Sequence, residues 1–166
     1  MSTEHAFLGE EFLTWLWFRL ETDGGDFELA GGRSASVSLD DFLAFAPGDD
    51  DETEQTLRKG LPSRSAEARA ALRHGRRVRR MKLIVALGDR EWSLTIEGPT
   101  LDLHGVRLPP DPEDAGSREE LAAERAAAFF EIRGVVAALY RRFLDDRLRD
   151  DYRATSGRAQ ARWMAG

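Results

Sequence analysis

Cysteine is absent from this chain of 166 residues. Its absence excludes a disulfide framework and every cysteine-ligated metal site, and it favours a cytoplasmic location. Long apolar runs are also lacking, since no stretch of about 18 apolar residues occurs, so we expect no membrane span. The first apolar segment is short and follows Glu10 and Glu11 instead of basic residues. We therefore expect no secretory signal there.

Catalytic signatures are lacking as well. The sequence contains no G-x-S-x-G elbow, no glycine-rich phosphate loop and no H-E-x-x-H pair. The three histidines, His5, His74 and His104, are widely separated along the chain. We expect a protein that is not an enzyme and that holds no cofactor and no metal.

The chain opens with an aromatic segment, FLGEEFLTWLWFRLE at residues 7–21. Residues 12–20 are apolar except Thr14 and Arg19. A surface helix would show polar residues at every third or fourth position, so this helix should be buried on most sides or form part of an interface. The rest of the chain offers cover for two of its sides. We therefore expect a contact surface for another subunit at Trp15, Trp17 and Phe18.

Alternating apolar residues predict a β-hairpin around Gly31-Gly32. A three-residue loop at 31–33 would set Phe27 opposite Val37 and keep one face apolar. A second hairpin is predicted, in which a turn at Gly88-Asp89 connects MKLIVAL (81–87) to a strand that carries Trp92. This turn sets Val85 opposite Trp92. Leu101 and Leu103 continue this antiparallel meander, which has one wet face.

Two helices follow from capping signals. Ser63 or Ser65 can cap a short helix that ends near Arg73. A capping box of Ser117 with Glu120 begins a long helix that runs to about Arg149. The apolar stripe of that helix comprises Phe129, Ile132, Val136, Leu139 and Phe143. The fold class is therefore α+β: the meander and hairpin pack against the aromatic N-terminal helix and the long C-terminal helix. We expect one domain over 1–152 and a disordered tail over 153–166.

Charge is unevenly distributed along the chain, whose formal net charge is −6. Residues 40–54 hold seven acids and no base, whereas residues 64–82 hold eight bases and one acid, Glu67. The acidic stretch fits a solvated loop, or a carboxylate cluster for a divalent metal. Clustered arginines bind phosphate through bidentate hydrogen bonds. The strand register sets Arg80 opposite Glu97 and Lys82 opposite Thr95, so these two bases should make cross-strand contacts. Four other bases would meet phosphate: Arg73, Arg76, Arg77 and Arg79.

The order of these features resembles a known family. The helix bearing Leu13-Thr14-Trp15, the hairpin, the stretch AL-x-x-G-basic-x-V (71–78), the strand MKLIVAL and the stretch L-x-L-x-G-V-x-L-P (101–109) occur in sequence before a long closing helix. This arrangement is similar to the C-terminal half of the recombination-associated protein RdgC family, in a divergent short form, over roughly residues 7–148. The junction LRHGRRVRRMKL is its most specific part.

The resemblance implies a non-enzymatic protein that binds DNA without sequence preference. Members of that family form ring-shaped dimers that encircle duplex DNA and restrain RecA-driven recombination. The resemblance places Arg76, Arg77, Arg79 and Arg80, which follow Gly75, on the DNA side. The chain begins close to the aromatic helix, so we expect a homodimer or a partner chain to supply the family's N-terminal half.

The sequence is therefore compatible with three functions. The first is an RdgC-like contact with the phosphate backbone of duplex DNA, in a cytoplasmic, nucleoid-associated protein. Its expected DNA-binding residues are Arg73, Arg76, Arg77, Arg79, Arg80 and Lys82. The alternative is a protein-interaction module that docks a partner through the aromatic helix 12–20 without nucleic acid. The third is a metal-dependent nuclease that uses the carboxylates of Asp49 to Glu54.

Overall fold

The computed structural model describes residues 3–47, 54–58, 65–111 and 116–166. The described chain forms four α-helices and one antiparallel sheet of six strands, so the fold class is α+β as expected. The helices are α1 (Thr3–Asp23), α2 (Ala66–Arg73), α3 (Arg118–Arg147) and α4 (Ser156–Ala165). The strands are β1 (Asp26–Glu28), β2 (Ser34–Phe45), β3 (Gln55–Arg58), β4 (Val78–Leu87), β5 (Arg90–Glu97) and β6 (Asp102–Arg107).

The sheet has the order β1-β2-β4-β5-β6, and β3 pairs with the second half of β2. The predicted register of β4 and β5 is confirmed, since Val85 pairs with Trp92 and Met81 with Ile96. These residues point to one face and are buried, while their neighbours on the opposite, polar face are half-buried or exposed. One layer of helices therefore lies on the apolar face.

The register predicted for the first hairpin is wrong. Phe27 pairs with Ala35 instead of Val37, because the connection is centred on Gly31 instead of Gly32. The amide of Leu29 donates to the carbonyl of Arg33 at 2.7 Å, and a 3₁₀ turn at Ala30–Gly32 lies between them. A shift of two residues preserves the side-chain face, so Phe27 still packs in the core.

Both predicted caps are confirmed. Ser65 accepts a hydrogen bond from the amide of Ala68 at the start of α2. Ser117 and Glu120 form the reciprocal capping box of α3. The predicted stripe of α3 is buried at Ile132, Val136, Leu139 and Phe143. Phe129 departs from the prediction, because 36% of its surface stays exposed at the edge of the stripe.

The aromatic segment of α1 is a core element. Trp15 and Trp17 are each 1% exposed and Phe18 is 5% exposed, so the expected partner surface at these residues is wrong for this fold. The indole N–H of Trp15 donates to Asp146 of α3 at 2.9 Å. The indole N–H of Trp17 donates to Glu21 at 2.9 Å. A buried indole needs such a partner, so polar satisfaction and packing agree here.

The C-terminal tail, residues 153–166, covers the side of α1 for which the sequence analysis found no cover. The expected disorder over 153–166 is contradicted, since α4 occupies Ser156–Ala165. The ring of Trp163 packs edge-on against Trp17 with centroids 5.2 Å apart, and it also contacts Phe18 at 5.6 Å. Its indole N–H donates to Glu21 at 2.9 Å. The helix therefore closes the last aromatic side of α1.

Trp163→Ala should lower the free energy of unfolding by about 2 kcal/mol, because it removes an aromatic contact from the core helix. It should also shift tryptophan emission to longer wavelength as Trp17 gains contact with water. Arg158→Ala, at an exposed position of α4, is the control and should change neither quantity. Chemical denaturation followed by fluorescence measures both. Equal stability of the two variants would show that α4 does not cover α1.

Candidate functional site

The basic junction, residues 73–82, begins where α2 ends in a Schellman motif. The amide of Gly75 donates to the carbonyl of Leu72 at 2.9 Å, and the amide of Arg76 donates to that of Ala71 at 3.0 Å. Gly75 has a φ of 73°, which glycine adopts without steric cost. This turn reverses the chain and directs it into β4.

Backbone bonds to two other elements hold the junction in place. The amide of Ala46, just after β2, donates to the carbonyl of Arg77 at 2.8 Å. The amide of Val78 donates to the hydroxyl of Thr14 on α1 at 3.0 Å. That hydroxyl donates in turn to the carbonyl of Glu10 at 2.9 Å. Thr14, the one polar residue in the buried part of α1, therefore positions the start of β4.

Two arginines of the junction share two carboxylates. The Nε atom of Arg79 lies 3.7 Å from Glu97 and 3.9 Å from Glu54. The Nε atom of Arg80 lies 3.8 Å from Glu97, and its guanidinium also pairs with Glu54. The contact of Arg80 with Glu97 was expected from the register. The expectation that Arg79 is free for phosphate is wrong, because it faces both acids.

The remaining bases of the junction differ in exposure. Arg73 is exposed at the end of α2. Arg76 and Arg77 are half-buried, and each interacts with another group of the protein. Burial raises the pKa of Glu10, although the nearby charges of Arg79 and Arg77 oppose the rise. The junction is thus already engaged with carboxylates on more than one side.

Lys82 is paired through an irregularity in β2. Leu39 pairs with Leu83 and Leu43 with Met81, so four steps along β2 match two steps along β4. The extra residues bring Asp40 to 2.9 Å and Asp41 to 3.1 Å from the ammonium of Lys82. The hydrogen bonds that Lys82 donates to these carboxylates raise its pKa. Burial disfavours ionisation of Asp40, but the hydrogen bond and charge of Lys82, the amide of Asp41 and the charge of Arg107 together lower the pKa of Asp40.

The acidic stretch therefore neutralises part of the basic one, namely Arg79, Arg80 and Lys82. Three of its seven acids, Asp40, Asp41 and Glu54, are ion-paired with the junction. Asp49 to Glu52, proposed above as metal ligands, lie outside the described residues. Within the described ranges, no group of three or more histidine, aspartate or glutamate side chains is placed to hold a metal ion.

A groove of about 590 Å³ opens beside these pairs on the polar face of the sheet. Phe42 lies in it with the guanidinium of Arg58 at 5.4 Å and that of Arg80 at 5.8 Å from its ring centroid. Lys82 and His104 belong to the same walls, together with the acids Asp41 and Glu97. The sequence analysis assigned Phe42, Arg58 and His104 to no site, because the separate strands that carry them meet only in the folded sheet.

Comparison with known proteins identifies no relative: no protein-family model, no curated protein and no solved structure matches this chain. Among the helices of the described residues, none combines the length and the apolar composition needed to cross a membrane.

Asp40→Asn should lower the pKa of Lys82 toward its ordinary value, because a charged hydrogen-bond acceptor is lost.

The depressed pKa of Asp40 adds stability above about pH 4 that is lost as pH falls through its folded-state value. The raised pKa of Lys82 adds stability below about pH 10 that is lost as pH rises through its folded-state value. NMR titration of the Lys82 side chain measures the shift. Glu91→Gln, on an exposed acid of β5, should leave the pKa of Lys82 unchanged; equal effects of both variants would contradict the pairing.

Proposed function

We propose that this chain is a non-catalytic, sequence-independent DNA-binding domain, as its resemblance to the RdgC family implies. The proposal is supported by one observation above the others. Arg80 and Lys82 of the basic junction line one groove on the polar sheet face together with Arg58 of β3 and with His104. Arginine and lysine side chains that meet on one rim are suited to successive phosphates of a nucleic-acid backbone.

We call Arg58, Arg79, Arg80 and Lys82 the rim. A phosphate that binds there competes with the carboxylates of this chain. Glu54 and Glu97 already occupy Arg79 and Arg80, and Asp40 and Asp41 occupy Lys82. A phosphate must displace these carboxylates, which keep the rim close to neutral in the unbound protein. The pairs are partly exposed, so each contributes little energy and exchange is inexpensive. We therefore expect weak binding that depends steeply on salt.

Within the described ranges, no helix or strand is placed beside these basic side chains to read base edges. The contacts on offer are guanidinium and ammonium groups, which recognise phosphates without regard to sequence. The aromatic ring of Phe42 lies between charged groups and gives an apolar contact for a sugar or a base edge. We assign it no role in discriminating among sequences.

The alternative function is a protein-interaction module, but its docking surface would lie on a different helix from the one predicted. The aromatic helix 12–20 is buried by the chain's own α3 and α4, so it does not offer the docking surface. Exposed aromatic side chains occur instead on α3, at Phe129 and Phe130. This surface favours a protein contact that is separate from the rim.

Binding to a short DNA duplex should fall with salt, and Lys82→Gln and Arg58→Gln should each reduce it. Each lost phosphate contact should lower the slope of log affinity against log salt by about 0.9. Glu97→Gln should act in the opposite direction and strengthen binding, because it releases Arg79 and Arg80 from a competing acid. Fluorescence anisotropy at several salt concentrations measures all three.

Arg133→Gln serves as the matched control, since it removes an exposed arginine on α3, away from the groove. It should leave the slope unchanged. The proposal fails if the protein does not bind duplex at low salt. It also fails if the control loses as much affinity as Lys82→Gln, because binding would then reflect no particular surface.

A further inference from the structure

The large exposed apolar side chains of the described residues are concentrated on one helix. Phe129 and Phe130 lie in α3, and Leu148 is its C-cap. Phe130 is 66% exposed and Leu148 is 77% exposed. At about 100° per residue, Phe130 points away from the core side that carries Ile132 and Leu139. Phe130 therefore lies outside the core of its own chain, and with Phe129 beside it the helix presents an apolar surface.

In the exposed stripe around Phe130, the residues on either side match in size near the centre and carry opposite charges at the two ends. Four residues to either side stand Ala126 and Gly134, and seven residues to either side stand Ala123 and Ala137. Eleven residues to either side stand the acid Glu119 and the base Arg141. These offsets of four, seven and eleven keep every member on one side of the helix. All of them are exposed.

Gly134 provides a separate observation. Glycine within a helix costs about 1 kcal/mol relative to alanine. A methyl group at Gly134 would meet no described heavy atom within 4 Å, so the packing of this chain does not require glycine there. The gap lies one helical turn from Phe130, where it allows another helix to approach closely.

We infer that a second copy of this chain packs its α3 antiparallel to the first, about a two-fold axis at Phe130. In this arrangement Phe130 meets Phe130 of the other copy, Ala126 meets Gly134, and Ala123 meets Ala137. Glu119 of each copy meets Arg141 of the other. A two-fold interface requires that residue i contact j while j contacts i, and the stripe satisfies this at every offset. The matched stretch is about 33 Å long.

Charge selects this occupant and this orientation. A parallel pair would set Glu119 beside Glu119 and Arg141 beside Arg141, which is repulsive. The two phenylalanines form an aromatic contact at the centre, where interface energy is concentrated. The helix packs on the apolar side of the sheet, where Ala128 accepts from Trp92 at 3.1 Å. The groove on the polar face stays accessible, so the inference stands independently of DNA binding.

Sedimentation velocity over a concentration series of the full chain should show a reversible dimer. Phe130→Ala should raise its dissociation constant about tenfold or more, as expected for a central aromatic contact. Glu124→Gln, on an exposed acid of α3 outside the stripe, should leave it unchanged. Phe130 is exposed, so circular dichroism should show both variants folded. A monomer at every concentration, or a dimer that tolerates Phe130→Ala, would overturn the inference.

Orientation has its own test, because the chain has no native cysteine. The test uses single-cysteine variants under mild oxidation. Ala123→Cys and Ala137→Cys should each fail to link alone and should link when the two proteins are mixed, since a disulfide requires close Cβ atoms. Glu119→Arg should weaken the dimer, and adding Arg141→Glu should restore it. Self-linking of Ala123→Cys would indicate a parallel pair and would refute the two-fold arrangement.

Discussion

Burial of the aromatic half of α1 is the constraint on which the remaining structure depends. Two indoles must be removed from water and their N–H groups must still find acceptors. Asp146 and Glu21 meet that need, at 2.9 Å in each case. The sheet, α3 and α4 all converge on this helix, so its position determines where every other surface of the molecule lies.

One consequence concerns the start of β4. Thr14 interrupts the apolar run of α1 and accepts the amide of Val78, so the core helix also holds the basic junction. The junction arginines are thereby fixed at one end of the sheet, next to the acids of β2 and the residue preceding β3. The core and the charged rim are not independent features, because one buried hydroxyl connects them.

Local and periodic signals were sufficient for much of the fold. The register of β4 and β5 followed from apolar alternation and a two-residue turn, and both helix caps followed from serine and glutamate spacing. The prediction of a disordered tail over 153–166 was wrong for a different reason. Ser156, Gln160, Trp163 and Met164 follow a helical spacing, but the segment is short and polar, and it becomes a helix through contact with α1.

The candidate site was harder to predict than the fold. Its basic residues were visible in the sequence, but most of their partners come from distant segments. The pairing of Asp40 with Lys82 depends on an irregularity in β2 that no period reveals, and Glu54 meets Arg80 because it precedes β3, which pairs with β2. A cluster of like charges in a sequence therefore predicts binding to opposite charges. It does not show whether those opposite charges belong to a ligand or to the same chain.

The aromatic helix is part of the core, and we propose that nucleic acid contacts the basic side chains of Arg58, Arg79, Arg80 and Lys82. A map of amide and indole chemical-shift changes, recorded while a short DNA duplex is added, tests it most directly. We expect changes at residues 76–82, at Phe42 and at Arg58, with the indole signals of Trp15 and Trp17 unmoved. Changes confined to α1 and α4, with the rim silent, would contradict the claim.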